Sequence, residues 1–327
     1  MRIAVLDDYA GIAETLADWS MLRQRADLVV FREPLDEDRA ANRLADFDVI
    51  CTIRERMALP GTLLARLPRL KLLTIIGTGL PQLDMAAATR LGILVCNARG
   101  SAQDRAVTQN ATPELAWGLL LALARHIPEQ DQRGRLEGGW QTRPGTILAG
   151  KTMGILGLGN LGRRVAAYAQ AFGITTIAWS QNLTDQAARA VGVERVEKAA
   201  LFARSDALSI HLRLSDRSRG LVGAQELALM KPAALLINTA RGPIVGGAAL
   251  VTALATNRLA GAGLDVFDVE PLPAHHPLRS LRNVVLTPHL GYFTAELMAA
   301  FYRGTVDTVA AFLDGAPIGM LNGPQRR

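Results

Sequence analysis

Residues 151–184, KTMGILGLGNLGRRVAAYAQAFGITTIAWSQNLT, constrain the fold of this chain more than any other stretch. An apolar run from Met153 to Leu156 meets Gly157, Gly159 and Gly162 at GxGxxG spacing, and a helical stretch and a second apolar run, Ile174 to Trp179, follow. Strand, glycine turn and helix in that order make the cradle of a dinucleotide. The first glycine allows the turn, the second lets the pyrophosphate approach, and the third lets helix and strand pack. The negative charge then rests on the helix amino end, at Asn160 and Leu161. Where the second strand ends, such a site usually places a carboxylate on the adenine-ribose hydroxyls. This chain has Ser180, Gln181 and Asn182 instead. Nothing there repels a 2′-phosphate, so the expected cofactor is NAD or NADP, with a lean to NADP or dual use. Arg163 and Arg164, beside the glycine loop, are further candidates for phosphate contact.

Short apolar runs alternate with amphipathic stretches along the rest of the chain, the pattern of parallel α/β sheets. Ile3 to Leu6, Leu28 to Phe31, Asp48 to Thr52, Lys71 to Ile76 and Ile93 to Cys96 form one series of expected strands. The second starts at Lys151 and continues near Ala207 to His211, Ala234 to Asn238, Ala260 to Asp265 and Val284 to Leu286. A length of 327 residues also exceeds what one core usually serves. The expectation is two doubly wound domains, residues 1–100 with 290–327 and residues 101–289. Between the series a helix is expected to start at Thr112 as cap, with Pro113 and Glu114 in its first turn, and to run to about Arg125, crossing between domains. Thr294 to Leu313 reads as a last helix that returns to the first domain.

Composition excludes several classes. The formal charge is +6, yet Arg is scattered among Asp and Glu with no basic run or aromatic-interleaved patch, which argues against nucleic acid and for small anionic ligands. Cys51 and Cys96 lie in apolar runs without CxxC pairing, as reduced core residues would. Asp7 and Asp8 come too early for a signal peptide, and the most apolar helical stretch, Leu115 to Ala124, is too short for a bilayer, so a soluble cytoplasmic protein is expected. His275 and His276 have no carboxylate or Cys at ligand spacing, so no metal is expected.

LLINTARGPIV, GAGLDVFDVEPLP and VVLTPHLGYFT each set polar residues directly after an apolar strand, at the sheet edge where open α/β folds bind ligands. Arg241, Asp265, Glu270 and His289 are thereby candidates for one site. Any one of them alone would more readily be a loop charge or a satisfied histidine; four successive strand ends are harder to explain that way.

With GILGLGNLG, NTARG, DVFDVEP and LTPHLG in this order, and GTGLPQLDMAAATRLGILVCN upstream, the chain resembles the D-2-hydroxyacid dehydrogenases over nearly its whole length. The resemblance implies a flavodoxin-like substrate domain, completed by the carboxy-terminal helix, and a Rossmann cofactor domain, with a cleft between them. It implies Arg241, Glu270 and His289 as catalytic residues, and Thr78 and Gly79 as the loop receiving the substrate carboxylate. It further implies Asp265 facing the nicotinamide, cofactor contacts from Thr239, Ala240, His211 and Leu212, and homodimers formed through the cofactor domain. Arg213 stands where the family more often has proline, beside the expected nicotinamide-ribose contact.

The implied roles are chemically coherent. Reduction of a 2-oxo acid needs a hydride, a proton for the carbonyl oxygen and an anchor for the carboxylate, and the cofactor supplies only the first. A histidine can give the proton near neutral pH, a glutamate on its other nitrogen favours the charged ring, and a forked arginine binds the carboxylate. Arg54, after an expected strand, is a candidate substrate contact, and the long 99–112 segment reads either as a surface insertion or as a lid presenting Arg99 or Arg105. Two other readings share the fold. One is a dinucleotide-sensing corepressor, separated only by testing turnover; the other is formate dehydrogenase, which has glutamine where this chain has Glu270.

Overall fold

A computed structural model of the chain describes residues 1–53, 56–76, 82–98, 100–101, 104 and 109–323. Two compact units divide it: Met1–Thr108 with Ala295–Arg327, and Gln109–Thr294. The divisions fall eight and five residues beyond the 100/101 and 289/290 positions expected from strand spacing.

The first unit holds a parallel sheet of β1 (Arg2–Val5), β2 (Asp27–Val30), β3 (Val49–Cys51), β4 (Leu72–Ile75) and β5 (Leu94–Asn97), in the order β2-β1-β3-β4-β5. Its strands are apolar runs because helices cover the sheet, and Ile50, Leu73 and Val95 pack with Leu44, Leu63 and Ala88. The helix Ala295–Leu313 belongs to this unit. It buries Met298, Tyr302, Thr305 and Val309 at three- and four-residue spacing, and Tyr302 meets Trp19 edge to face at 6.1 Å.

The second unit holds β6 (Thr152–Leu156), β7 (Thr175–Trp179), β8 (Glu194–Arg195), β9 (Ala207–Ile210), β10 (Leu235–Asn238), β11 (Gly261–Leu264) and β12 (Val284–Leu286). They are all parallel, in the order β12-β11-β10-β9-β6-β7-β8. Alternation of side chains divides its core into two layers. Leu156, Leu208 and Leu236 face Leu201, Leu227 and Leu250, while their neighbours Ile155 and Ile237 face Leu119, Val165 and Ala166 on the other side. The two-residue β8 carries no hydrophobic run and was not among the strands expected from sequence.

The helix expected from Thr112 starts earlier, at Ala111, and runs to Ala124 within the second unit. Asn110 is its cap residue and makes no side-chain cap bond. Thr112 is no cap, since its hydroxyl donates to the Gly291 carbonyl at 2.7 Å. No described helix is long and apolar enough to cross a membrane.

Candidate active site

The site is built on the carboxyl ends of β6, β9, β10 and β11, with the turn after β12. At the glycine loop the three positions differ as a dinucleotide cradle requires. Gly157 has φ +103°, and a Cβ there would lie 2.9 Å from the His211 carbonyl carbon. A Cβ on Gly162 would lie 2.1 Å from the Gly157 oxygen, so the helix Asn160–Ala171 could not sit this close to the strand. A Cβ on Gly159 would meet nothing within 4 Å, which leaves open space before the helix amino end where Asn160 and Leu161 begin the first turn. The loop therefore fits a pyrophosphate. Arg163 turns back toward the loop, its Nε donating to the Leu158 carbonyl at 3.4 Å, whereas Arg164 is engaged by Asn110 at 2.7 Å.

Ser180 and Gln181 follow β7. The turn is closed by the Leu183 amide on the Ser180 carbonyl at 3.0 Å, and Thr184 caps the next helix. Arg195, on the unforeseen β8, braces this turn: its Nε donates to the Leu183 carbonyl at 2.9 Å, and its other nitrogens face Asp185 and Glu197.

His211, Leu212 and Arg213 leave β9. His211 Nε2 pairs with the Ser209 hydroxyl at 2.8 Å, and the Arg213 carbonyl accepts from Ser218 at 2.7 Å. Desolvation of the His211 ring pushes its pKa down to about 4. The unfolded chain takes up this proton near pH 6.5 and the folded chain only near 4. Stability should therefore fall as pH drops across that window, by at most on the order of 3 kcal/mol. His211→Asn should flatten that part of the curve in urea titrations, and parallel curves for the two proteins would contradict it.

After β10, Asn238 shapes the turn that carries Thr239, Ala240 and Arg241. Its Oδ1 accepts the Ala240 amide and its Nδ2 donates to the Arg241 carbonyl, both at 3.0 Å. Arg241 Nη1 donates to the Ala240 carbonyl at 2.7 Å. The buried Thr239 hydroxyl has no hydrogen-bond partner among the described residues. Gly242 lets this turn press on the next one, since a Cβ there would lie 2.1 Å from the Phe267 carbonyl carbon.

Asp265, at the end of β11, is 0% exposed. Its carboxylate is turned inward: one oxygen accepts Thr287 Oγ1 and the Leu290 amide, both at 2.6 Å, and the other accepts the Gly291 amide at 2.8 Å. Its backbone carbonyl accepts the His289 amide at 2.9 Å. Burial nevertheless raises its pKa against these bonds. Asp265 thus holds the His289 turn from inside, helped by Thr112, and this is a job that strand-end spacing does not reveal. His289 itself sits at φ +55°, a region costly for a non-glycine residue and retained where surroundings enforce it. Its Nδ1 lies 2.6 Å from Glu270 Oε2, and the other Glu270 oxygen accepts the Phe267 amide at 2.9 Å. The imidazole also packs edge to face on Tyr292, with ring centroids 5.6 Å apart.

The family profile described as D-isomer specific 2-hydroxyacid dehydrogenase, NAD binding domain, matches residues 117–291, which include every residue from the glycine loop to His289. The chain belongs to this family. It is 40% identical to the glyoxylate reductase of Aeropyrum pernix, over 80% of this chain and 78% of that one. It is 35% identical to the hydroxypyruvate reductase of Thermotoga maritima, over 84% and 88%. A crystal structure of the phosphoglycerate oxidoreductase of Vibrio cholerae matches with a TM-score of 0.89 at 36% identity, over 97% of this chain and all of that one.

Arg54, Thr78 and Gly79, and the lid candidates Arg99 and Arg105, lie outside the described residues. Cys51 and Cys96 are buried free thiols, pushed by burial up to about 12 and about 11. His276 accepts the Leu278 amide at 3.2 Å, and no group of three or more His, Cys, Asp or Glu among the described residues is placed to hold a metal ion.

Proposed function

We propose that this chain reduces a small 2-oxo acid to the 2-hydroxy acid, with His289 as proton donor, Glu270 supporting it and Arg241 binding the substrate carboxylate. The observation that carries this reading is the 2.6 Å contact between His289 Nδ1 and Glu270. A carboxylate there fixes the ring and leaves Nε2 as the nitrogen that delivers the proton to the carbonyl oxygen. The bound nicotinamide supplies the hydride. Arg241 holds the carboxylate and polarises the carbonyl beside it. Asp265 keeps the His289 turn in place through four hydrogen bonds. Replacing Glu270 with Gln removes the carboxylate that fixes Nδ1, so kcat for reduction should fall by roughly tenfold or more while dinucleotide binding is kept. An unchanged kcat would take Glu270 out of this role.

Ser180 supports acceptance of NADPH at least as well as NADH. The turn after β7 presents a hydroxyl rather than a carboxylate, and the first acid beyond it, Asp185, faces Arg195. Ser180→Asp should raise the KM for NADPH by roughly ten- to a hundredfold, as a few kcal/mol of charge opposition implies, with the NADH value steady or improved. A wild type that refuses NADPH would contradict this reading.

A homodimer formed through the second unit is supported by its exposed apolar side chains between residues 127 and 147. Trp140 and Ile147 are each 77% exposed, with Ile127 and Leu136 nearby in sequence. A monomer mass in sedimentation equilibrium would exclude it. The reduced thiols accord with a cytoplasmic setting.

A further inference from the structure

Because the strands of the second sheet are parallel, the glycine loop and the His289 turn share one edge, and the residues that open the strands gather at the other. At that opposite edge lies a cavity of about 290 Å³, between the starts of β6, β9, β10, β11 and β12 and the carboxyl end of the helix Ala111–Ala124. Its covered lining is apolar: Leu123, Leu148, Leu235, Val284 and Val285. Its exposed lining carries Arg143, Lys151 and Arg282.

The two acids in the lining are committed to other partners. Glu129 faces Arg143 at 2.6 Å, and Asp206 accepts Lys231 Nζ and the Thr152 amide, each at 2.8 Å. Carbonyls at the helix end are taken as well: Leu121 and Leu123 accept the Arg125 amide, and Ala124 accepts the Thr146 amide. Lys151 acts on Asp206 only through its field. Neither Lys151 nor Arg282 makes a side-chain ion pair or hydrogen bond among the described residues.

His126 forms the wall beside Arg143. The helix ends in a left-handed turn, with φ +53° at residue 126, a place where glycine is the usual occupant. This chain sets a histidine there, and its ring bonds to the Pro144 carbonyl and lines the cavity. Backbone conformation is thus strained at the cavity wall, and strain of this kind gathers at sites that bind.

We propose that this cavity binds a small organic anion, a carboxylate with a short aliphatic tail. The carboxylate takes Lys151 and Arg282, and the tail covers Leu123, Leu148 and Val284. An inorganic anion would leave that apolar lining bare. Ligand cavities span about 300–1,000 Å³, so this one suits a tail of only a few carbons. Ile127, Leu136, Trp140 and Ile147, the exposed side chains assigned above to a dimer contact, do not line it. The site is independent of the 2-oxo acid reading.

The test is calorimetric titration of the full chain with hexanoate, acetate and 1-hexanol. The wild type should bind hexanoate saturably and about tenfold or more tighter than acetate, which lacks the tail, or 1-hexanol, which lacks the charge. Arg241→Gln should keep a hexanoate site of the same affinity, which separates the cavity from the carboxylate anchor at the catalytic edge. Adding Lys151→Gln and Arg282→Gln to that variant should weaken hexanoate by about tenfold, and either change alone by a smaller factor. Both side chains are exposed, so these variants should fold, and the single changes stand in if the combined one does not. No saturable binding to the wild type, loss of the site in Arg241→Gln, affinity untouched by the Lys151 and Arg282 changes, or acetate binding as tightly as hexanoate would each overturn the proposal.

Discussion

A His289→Ala enzyme should reduce 2-oxo acids with a kcat lower by about 10²–10⁴, the usual contribution of a positioned general acid, while binding the dinucleotide as the wild type does. The separation follows from the layout. The glycine loop follows β6, whereas His289 follows β12 and is held by Asp265, Thr287 and Glu270. Loss of the imidazole removes the proton donor and leaves the phosphate cradle intact. Steady-state rates with a fluorescence titration of the reduced cofactor would check both halves. A rate within a few fold of wild type would show that another group delivers the proton.

Arg241→Lys should lower kcat/KM by on the order of 10², although net charge is unchanged. An ammonium cannot place two parallel donors on a carboxylate, and hydrogen bonds to charged groups carry about 1.5–3 kcal/mol each. The turn itself should survive, because Asn238 shapes it through the backbone of Ala240 and Arg241. Equal efficiency in the two enzymes would make Arg241 structural.

These residues stand out in the sequence because each follows a strand of the second sheet, and strand ends in a parallel sheet converge on one edge. NTARG, DVFDVEP and LTPHLG announce their positions for that reason. What each side chain does there depends on contacts across the sheet, which spacing does not encode. Asp265 reads as an edge residue, yet it points inward to the His289 turn. Thr112 reads as a helix cap, yet it bonds to Gly291, 179 residues away. β8 has two residues and no apolar pattern, so Arg195 escaped notice beside the Ser180 turn. Asp7 and Asp8 served in the sequence only to argue against a leader peptide, because consecutive acids look alike until their partners are seen.

The central claim is tested most directly by a spectrophotometric screen of the purified chain against glyoxylate, hydroxypyruvate, pyruvate and bulkier 2-oxo acids, each with NADH and with NADPH. The account predicts oxidation of the reduced cofactor with at least one of these acids, one equivalent consumed per 2-hydroxy acid formed, at a rate that collapses in His289→Ala. Cofactor binding without turnover on any 2-oxo acid would contradict it and would point instead to a protein that senses the dinucleotide.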